Sequence, residues 1–297
     1  MLIRTYFSLV LTMLLWGGTF IAGRVLAGHV TPVDSAFIRF FIASAALIPV
    51  VILTEKKLSI PPLKCWLPLL LLGLTGIFAY NVCFFFGLQH ITAGRAALII
   101  ASTPLAITIF AAVFLKERLT SYKMAGVFLC LSGAILVISN GHPQRLLTGG
   151  FGPGEKALLG CVASWTTYSL VGRQVLKTMS PLTSVCYSSI IGTILLAIPA
   201  VQQGHIFDIV DISRTSWLSL AFLGIGGTAL GFSLYYRAIQ KIGAARTGIF
   251  INLVPVFSVL LSWLILGEAI KPIVIAGGLL ILTGVSLTNF KAKKLRA

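Results

Sequence analysis

Residues Gly73–Ala134 read GLTGIFAYNVCFFFGLQHITAGRAALIIASTPLAITIFAAVFLKERLTSYKMAGVFLCLSGA. The pattern returns at Gly224–Val285 as GIGGTALGFSLYYRAIQKIGAARTGIFINLVPVFSVLLSWLILGEAIKPIVIAGGLLILTGV, at a constant offset of 151 residues and without a gap. Gln89 falls on Gln240, Arg95 on Arg246, Pro104 on Pro255 and Glu117 on Glu268. Apolar runs share apolar residues by chance, but not Gln, Arg, Pro and Glu in one register. The stretch is therefore half of an internal duplication, the first feature to look for in any chain.

Working outward, the repeat continues more weakly towards the N-terminus. Trp16, Gly23 and Arg24 match Trp165, Gly172 and Arg173 at an offset of 149, and Thr31-Pro32 resembles Ser180-Pro181. The expected units are residues 1–140 and 155–290, joined by a Gly- and Pro-rich linker at 141–154, with a basic tail at 291–297.

Composition fixes the solvent. The chain has 297 residues, 57% hydrophobic and 10% charged, with mean hydropathy +1.00. Soluble domains carry about 25% charged residues, so the class is an all-α, polytopic membrane protein. At about 20 apolar residues per span, ten spans are expected: 7–26, 32–53, 66–88, 93–115, 122–139, 155–176, 181–201, 216–239, 244–266 and 272–288. Val25-Leu26-Ala27 loosely imitates a signal-peptide cleavage site. The long run around Trp16-Gly17-Gly18 and its counterpart at Trp165 favour a retained first span.

Five is an odd number, so two joined five-span units cross the membrane in opposite directions, as an inverted repeat. Charge fixes the orientation. With both termini inside, inner segments hold 16 of the 23 basic residues and outer segments six, with Arg39 inside a span. That bias follows the positive-inside rule. It accounts for nearly all of the net charge of +16, so a nucleic-acid partner loses its support.

The five scattered cysteines form no CxxC pair and read as small buried apolar side chains. No HExxH motif or intramembrane carboxylate pair suggests an enzyme, a metal or a cofactor. An ion channel is the other non-carrier alternative.

Several residues resemble a known family: Trp16-Gly17-Gly18-Thr19-Phe20, Arg39-Phe40, and the Pro-bearing fourth and ninth spans that end in Leu115-Lys116-Glu117 and Leu266-Gly267-Glu268. With the five-span duplication, this looks like the drug/metabolite transporter superfamily, EamA type. The resemblance implies a multi-pass protein of the bacterial inner or plasma membrane that exports small metabolites. It implies a central cavity lined mainly by the first, third, fourth, sixth, eighth and ninth helices, and alternating access by rocking bundles.

Candidate cavity residues follow from helical spacing. Trp16, Thr19 and Phe20 form a stripe in the first span, and Trp165, Tyr168 and Ser169 repeat it in the sixth. Tyr80, Asn81 and Phe84 are candidates in the third span, Phe232 and Tyr235 in the eighth, Thr103 in the fourth and Asn252 in the ninth. Asn81 and Asn252, deep in apolar runs, need either the cavity or an interhelical hydrogen bond. Arg39, the one charge well inside a span, either holds a substrate carboxylate or plays a structural role, snorkelling or pairing with Asp34 or a helix-end carbonyl. Pro104 and Pro255 are expected mid-helix, each freeing a carbonyl. Glu117 and Glu268 are either helix-end charges or gates at opposite faces.

With no carboxylate near the midplane and all four histidines in outer segments, facilitated transport or exchange is expected. An aromatic cavity with one cation suits an amino acid. Nucleosides, sugars and drugs are the alternative cargoes.

Overall fold

The computed structural model describes residues 2–114, 121–139, 141, 142, 144, 152–204, 212–242, 247 and 250–288, and all their regular structure is helical. The elements are α1 (Leu2–Leu26), α2 (Pro32–Glu55), α3 (Leu63–His90), α4 (Ala93–Ile100), α5 (Thr103–Phe114), α6 (Ser121–Ile138), α7 (Pro153–Val175) and α8 (Pro181–Gln202). After them come α9, with α-helical ends Arg214–Ala221 and Gly231–Ile242, then α10 (Leu253–Leu266) and α11 (Pro272–Thr288).

Five of these helices are long and apolar enough to cross a membrane: Ile3–Leu26, Pro32–Glu55, Leu63–His90, Pro181–Gln202 and Arg214–Ile239. Shorter apolar helices cover Ala93–Ile107, Met124–Val137, Phe250–Leu266 and Pro272–Leu287. The uniform long spans expected from hydropathy are therefore corrected in two places. The fourth breaks at Ala101–Ser102, where Pro104 cannot donate to Ile100. The ninth enters through a 3-10 turn at Phe250–Asn252. The sixth, α7, is long enough at 23 residues but carries Ser, Thr, Trp and Tyr along its length.

Helix starts are chemically marked. Thr31 and Ser180 each accept a hydrogen bond from the backbone N–H three residues on, with Pro as the next residue in both. A hydroxyl at the N-cap satisfies an orphan donor, and Pro at the first position loses nothing. α10 ends where Gly267 adopts a left-handed φ of 65° and Glu268 N–H bonds Ser262 O at 3.1 Å. This closing turn is one that glycine makes without steric cost.

α3 and α9 each contain a π-helical stretch, at Gly73–Ala79 and Phe222–Leu230. Both begin at or beside a glycine on which another helix lies. A Cβ on Gly73 would meet Ile191, and one on Gly224 would meet Ile42. Small residues let backbones approach in a bilayer, where packing rather than water drives association. α6 and α11 pack the same way and form the most extensive pair. Gly133 lies against Gly277 O and Ile281 N, and Gly284 against Gly126 O and Cys130 N. The contacts are reciprocal: Gly277, Ile281 and Gly284 are the offset counterparts of Gly126, Cys130 and Gly133.

The outer wall is apolar. Phe128 is 72% exposed and Leu218 71%. Such side chains in numbers are a liability in water and the expected surface against lipid. The protein is a multi-pass membrane protein.

Candidate functional site

A cavity of about 470 Å³ lies between the helices, lined from α1, α2, α3, the α4–α5 break, α7, α8, α9 and the start of α10. Its wall is two aromatic stacks. Trp165 sits between Tyr80, at 5.3 Å, and Tyr168, at 4.9 Å. Trp16 sits between Tyr235, at 5.1 Å, and Phe232, at 5.4 Å. Tilted and offset aromatic pairs are the favourable geometries.

The two π turns hold these stacks in place. Gly227 O accepts a hydrogen bond from Trp16 Nε1 at 2.9 Å. A Cβ on Gly231 would stand 2.6 Å from that nitrogen, so glycine is what admits the indole. At the matching place in the other half stands Tyr80, and there the indole of Trp165 stacks on a ring instead. Gly76 is overlain by the Tyr168 ring, and a Cβ on Gly227 would meet Thr19 at 2.7 Å. π turns often accompany functional sites, and here they turn glycine backbone towards the cavity.

Arg39 is 9% exposed and lines the cavity. Its Nη1 donates to Asn81 Oδ1 at 2.9 Å, and its guanidinium lies 5.1 Å from the Phe40 ring centre. Its Nε has no partner. The amide of Asn81 is oriented from behind, since Nδ2 donates to Ile77 O at 2.8 Å and to Gly76 O at 3.4 Å. Oδ1 is thereby left to face Arg39. The pairing of Arg39 with Asp34 considered from sequence does not occur: Asp34 Oδ2 accepts from Thr31 Oγ1 at 2.6 Å. Among the described lining residues Arg39 carries the one formal charge, and none is Asp, Glu or His.

Of the sequence candidates, Trp16, Thr19, Arg39, Tyr80, Asn81, Thr103, Trp165, Tyr168, Tyr235 and Asn252 line this cavity, as do Pro104 and Pro255. Asn252 also donates to Ser286 at 3.4 Å. Phe84 does not line it. It is 1% exposed and packs behind the wall on Phe20, Tyr80 and Phe85. The reason is the i+4 spacing from Tyr80, which stacks Phe84 behind that ring.

Pro104 is the second residue of α5 rather than a mid-helix residue. The carbonyl it frees, Ile100 O, is taken by Thr103 Oγ1 at 2.5 Å. Pro255 is the third residue of α10, and Val254, without a hydroxyl, holds the place of Thr103. The sequence reading missed Phe40, Ser189 and Tyr236 in the wall. Helical spacing from Val185 and Phe232 would have found the last two.

Glu268 lies away from the cavity. Its carboxylate accepts from Ala93 N–H at 3.1 Å and Gly94 N–H at 3.5 Å, at the start of α4. It also faces Arg24 at 3.8 Å, and Arg24 Nη1 donates to Leu88 O. Arg95 pairs with Glu155 at 2.9 Å. Ends of α1, α3, α4, α7 and α10 are thus tied on one side of the molecule. Glu117 lies outside the described residues. Among the described residues no group of three or more metal-ligating side chains occurs.

The profile of the EamA-like transporter family matches residues 3–139 and again residues 152–290. The uncharacterized transporter YyaM of Bacillus subtilis is 30% identical over 91% of this chain and 88% of its own length. A probable terminal-alkyne amino-acid exporter of Streptantibioticus cattleyicolor is 29% identical over 96% of this chain and 93% of its own. A solved structure, titled only as the crystal structure of a protein, superimposes with a TM-score of 0.63 at 23% identity, over 96% of this chain and 97% of that one. At that identity it speaks for the fold alone. The family match spans both halves, and the chain belongs to the EamA-like transporter family.

Proposed function

We propose that the protein carries small metabolites, amino acids foremost, across the cell membrane by alternating access through the central cavity. The carrying observation is the cavity itself. At about 470 Å³ it is within the range of small-ligand sites, roughly 300–1,000 Å³. Both halves of the chain furnish its aromatic walls. Export is the direction suggested by the exporter among its relatives.

The architecture in this reading is ten spans in two inverted repeats, 1–140 and 155–290, with both termini cytoplasmic. The reciprocal glycine contacts of α6 and α11 support it, as does the inner excess of Lys and Arg. In this orientation the ties at Glu268, Arg24 and Arg95–Glu155 fall on the outer side and act as its gate. Trp16, Thr19, Arg39, Tyr80, Asn81, Thr103, Trp165, Tyr168, Tyr235 and Asn252 are the substrate residues, with Pro104 and Pro255 setting the helix bends. Glu117 is the inner counterpart of Glu268 in sequence. The pair of aromatic stacks supports a second reading, a flat heteroaromatic cargo such as a nucleoside.

With no carboxylate or histidine among the described lining residues, transport runs as facilitated diffusion or exchange. The test is uptake and counterflow by proteoliposomes across a panel of amino acids, nucleosides, sugars and cationic drugs. Saturable counterflow of an amino acid is expected, unchanged by an imposed pH gradient. Strict dependence on that gradient, or unitary currents in place of counterflow, would overturn the reading.

A further inference from the structure

The carrier reading leaves open what the cavity recognises, and the following rests on that reading while going beyond it. Arg39 is a guanidinium more than nine-tenths buried, in a segment without bulk water. Its one hydrogen-bond partner, Asn81, is neutral. Its Nε points to no acceptor. Neither ion pair found among the described residues involves it, and no acid lines the cavity. A buried charge without a counter-charge is costly, and a paired one much less so.

Cargo charge then decides the balance. A monoanion brings the cavity to neutrality, and its carboxylate can take the free Nε. A zwitterion leaves the net charge of the loaded cavity where it was. Its ammonium also meets no carboxylate, while both indoles are already stacked against neighbouring rings. We propose that this cavity selects an organic monoanion: a carboxylate on an apolar body of aromatic size, with no requirement for a positive charge. Asn81 is a positioning residue in this account, because its amide, fixed by Ile77 O and Gly76 O, sets the direction of the guanidinium.

The test uses the full-length protein in lipid nanodiscs and three matched probes: 3-phenylpropionate, phenylalanine and 3-phenylpropionamide. Tryptophan fluorescence reports binding, since Trp16 and Trp165 form the wall. The propionate is expected to bind about tenfold more tightly than either of the others, a difference that a single charge interaction readily supplies. Arg39→Gln is expected to flatten that preference. If Arg39→Gln does not fold, the comparison on the unmodified protein stands by itself. Phenylalanine binding as tightly as the propionate overturns the proposal, because the ammonium is then read. The amide binding as tightly overturns it too, because the charge is then not read, and so does the absence of binding by all three. Counterflow of other solutes with none of the probes bound defeats this inference alone, whereas the absence of saturable counterflow for any solute defeats the carrier reading.

Discussion

The side chains of Ser44 and Thr193, matching residues 149 positions apart, meet in a hydrogen bond of 3.2 Å. Thr193 Oγ1 already donates to Ser189 O at 2.8 Å, so Ser44 is the donor to it. A residue can touch its own counterpart only where a two-fold axis passes between them. On the inverted-repeat reading, the axis runs through the crossing of α2 and α8. Ser44→Cys combined with Thr193→Cys should therefore cross-link in high yield with an oxidant or a short bifunctional thiol reagent, as read by mass spectrometry. Two thiols that never join would place the axis elsewhere.

Gly76 has the tightest neighbour in the wall, the ring of Tyr168. Helix propensity alone would make Gly76→Ala stabilising by about 1 kcal/mol. Overpacking of this kind typically costs about 1–3 kcal/mol, and with the ring directly overhead the cost should win. A lower Tm in detergent is expected, partly restored by adding Tyr168→Ala. A more stable, fully active Gly76→Ala would mean that the ring is free to leave.

Asn81→Ala removes the oxygen that holds Arg39 and leaves a buried guanidinium without that partner, a loss of about 1–3 kcal/mol in stability. Transport should fall much further than expression or membrane insertion, because the wall residue is misaimed rather than lost. Asn81→Asp is the informative companion. It supplies a fixed counter-charge to Arg39 and should weaken binding of anionic probes while raising the Tm. Equal transport by all three proteins would remove Asn81 from the site.

Glu268 accepts from the first two amides of α4, and charge-assisted bonds of this kind are the stronger class. Glu268→Ala should open the outer side more often. Ser262, 2% exposed and 3.2 Å from a Cβ built on Gly94, makes a reporter there. In a Ser262→Cys background, a membrane-impermeant thiol reagent applied outside should label several-fold faster once Glu268 is replaced. Unchanged labelling would reduce Glu268 to a helix cap.

How much of this was legible beforehand depends on the kind of signal. The stripes around Trp16 and Trp165 were readable because helical spacing puts i, i+3 and i+4 on one face. Phe84 shared that spacing with Tyr80 yet went behind it, since periodicity gives a face but not which ring of a stack meets the void. The Arg39–Asn81 pair joins residues 42 positions apart on two helices, and no local pattern encodes such a contact. The π turns were marked only by Gly73/Gly76 and Gly224/Gly227, which read equally well as close-packing glycines. Pro104 announced a bend, but the hydroxyl of Thr103 on Ile100 O depends on three-dimensional reach. The break in symmetry at Tyr80 and Gly231 was visible in the alignment of the two halves. Its consequence, an indole bonded to Gly227 O on one side and stacked on a tyrosine on the other, was not.

Counterflow in proteoliposomes, with and without Trp165→Ala, tests the central claim most directly. Trp165 joins Tyr80 to Tyr168 across the wall and makes no hydrogen bond through its indole N–H among those found here. Its removal should therefore spare folding while opening a gap in the cavity. The account predicts saturable counterflow by the unmodified protein and a loss of at least about tenfold in the variant, the scale of a deleted aromatic anchor, at equal folded amounts. Undiminished counterflow by a well-folded Trp165→Ala would contradict it, because the cavity would then not be the path.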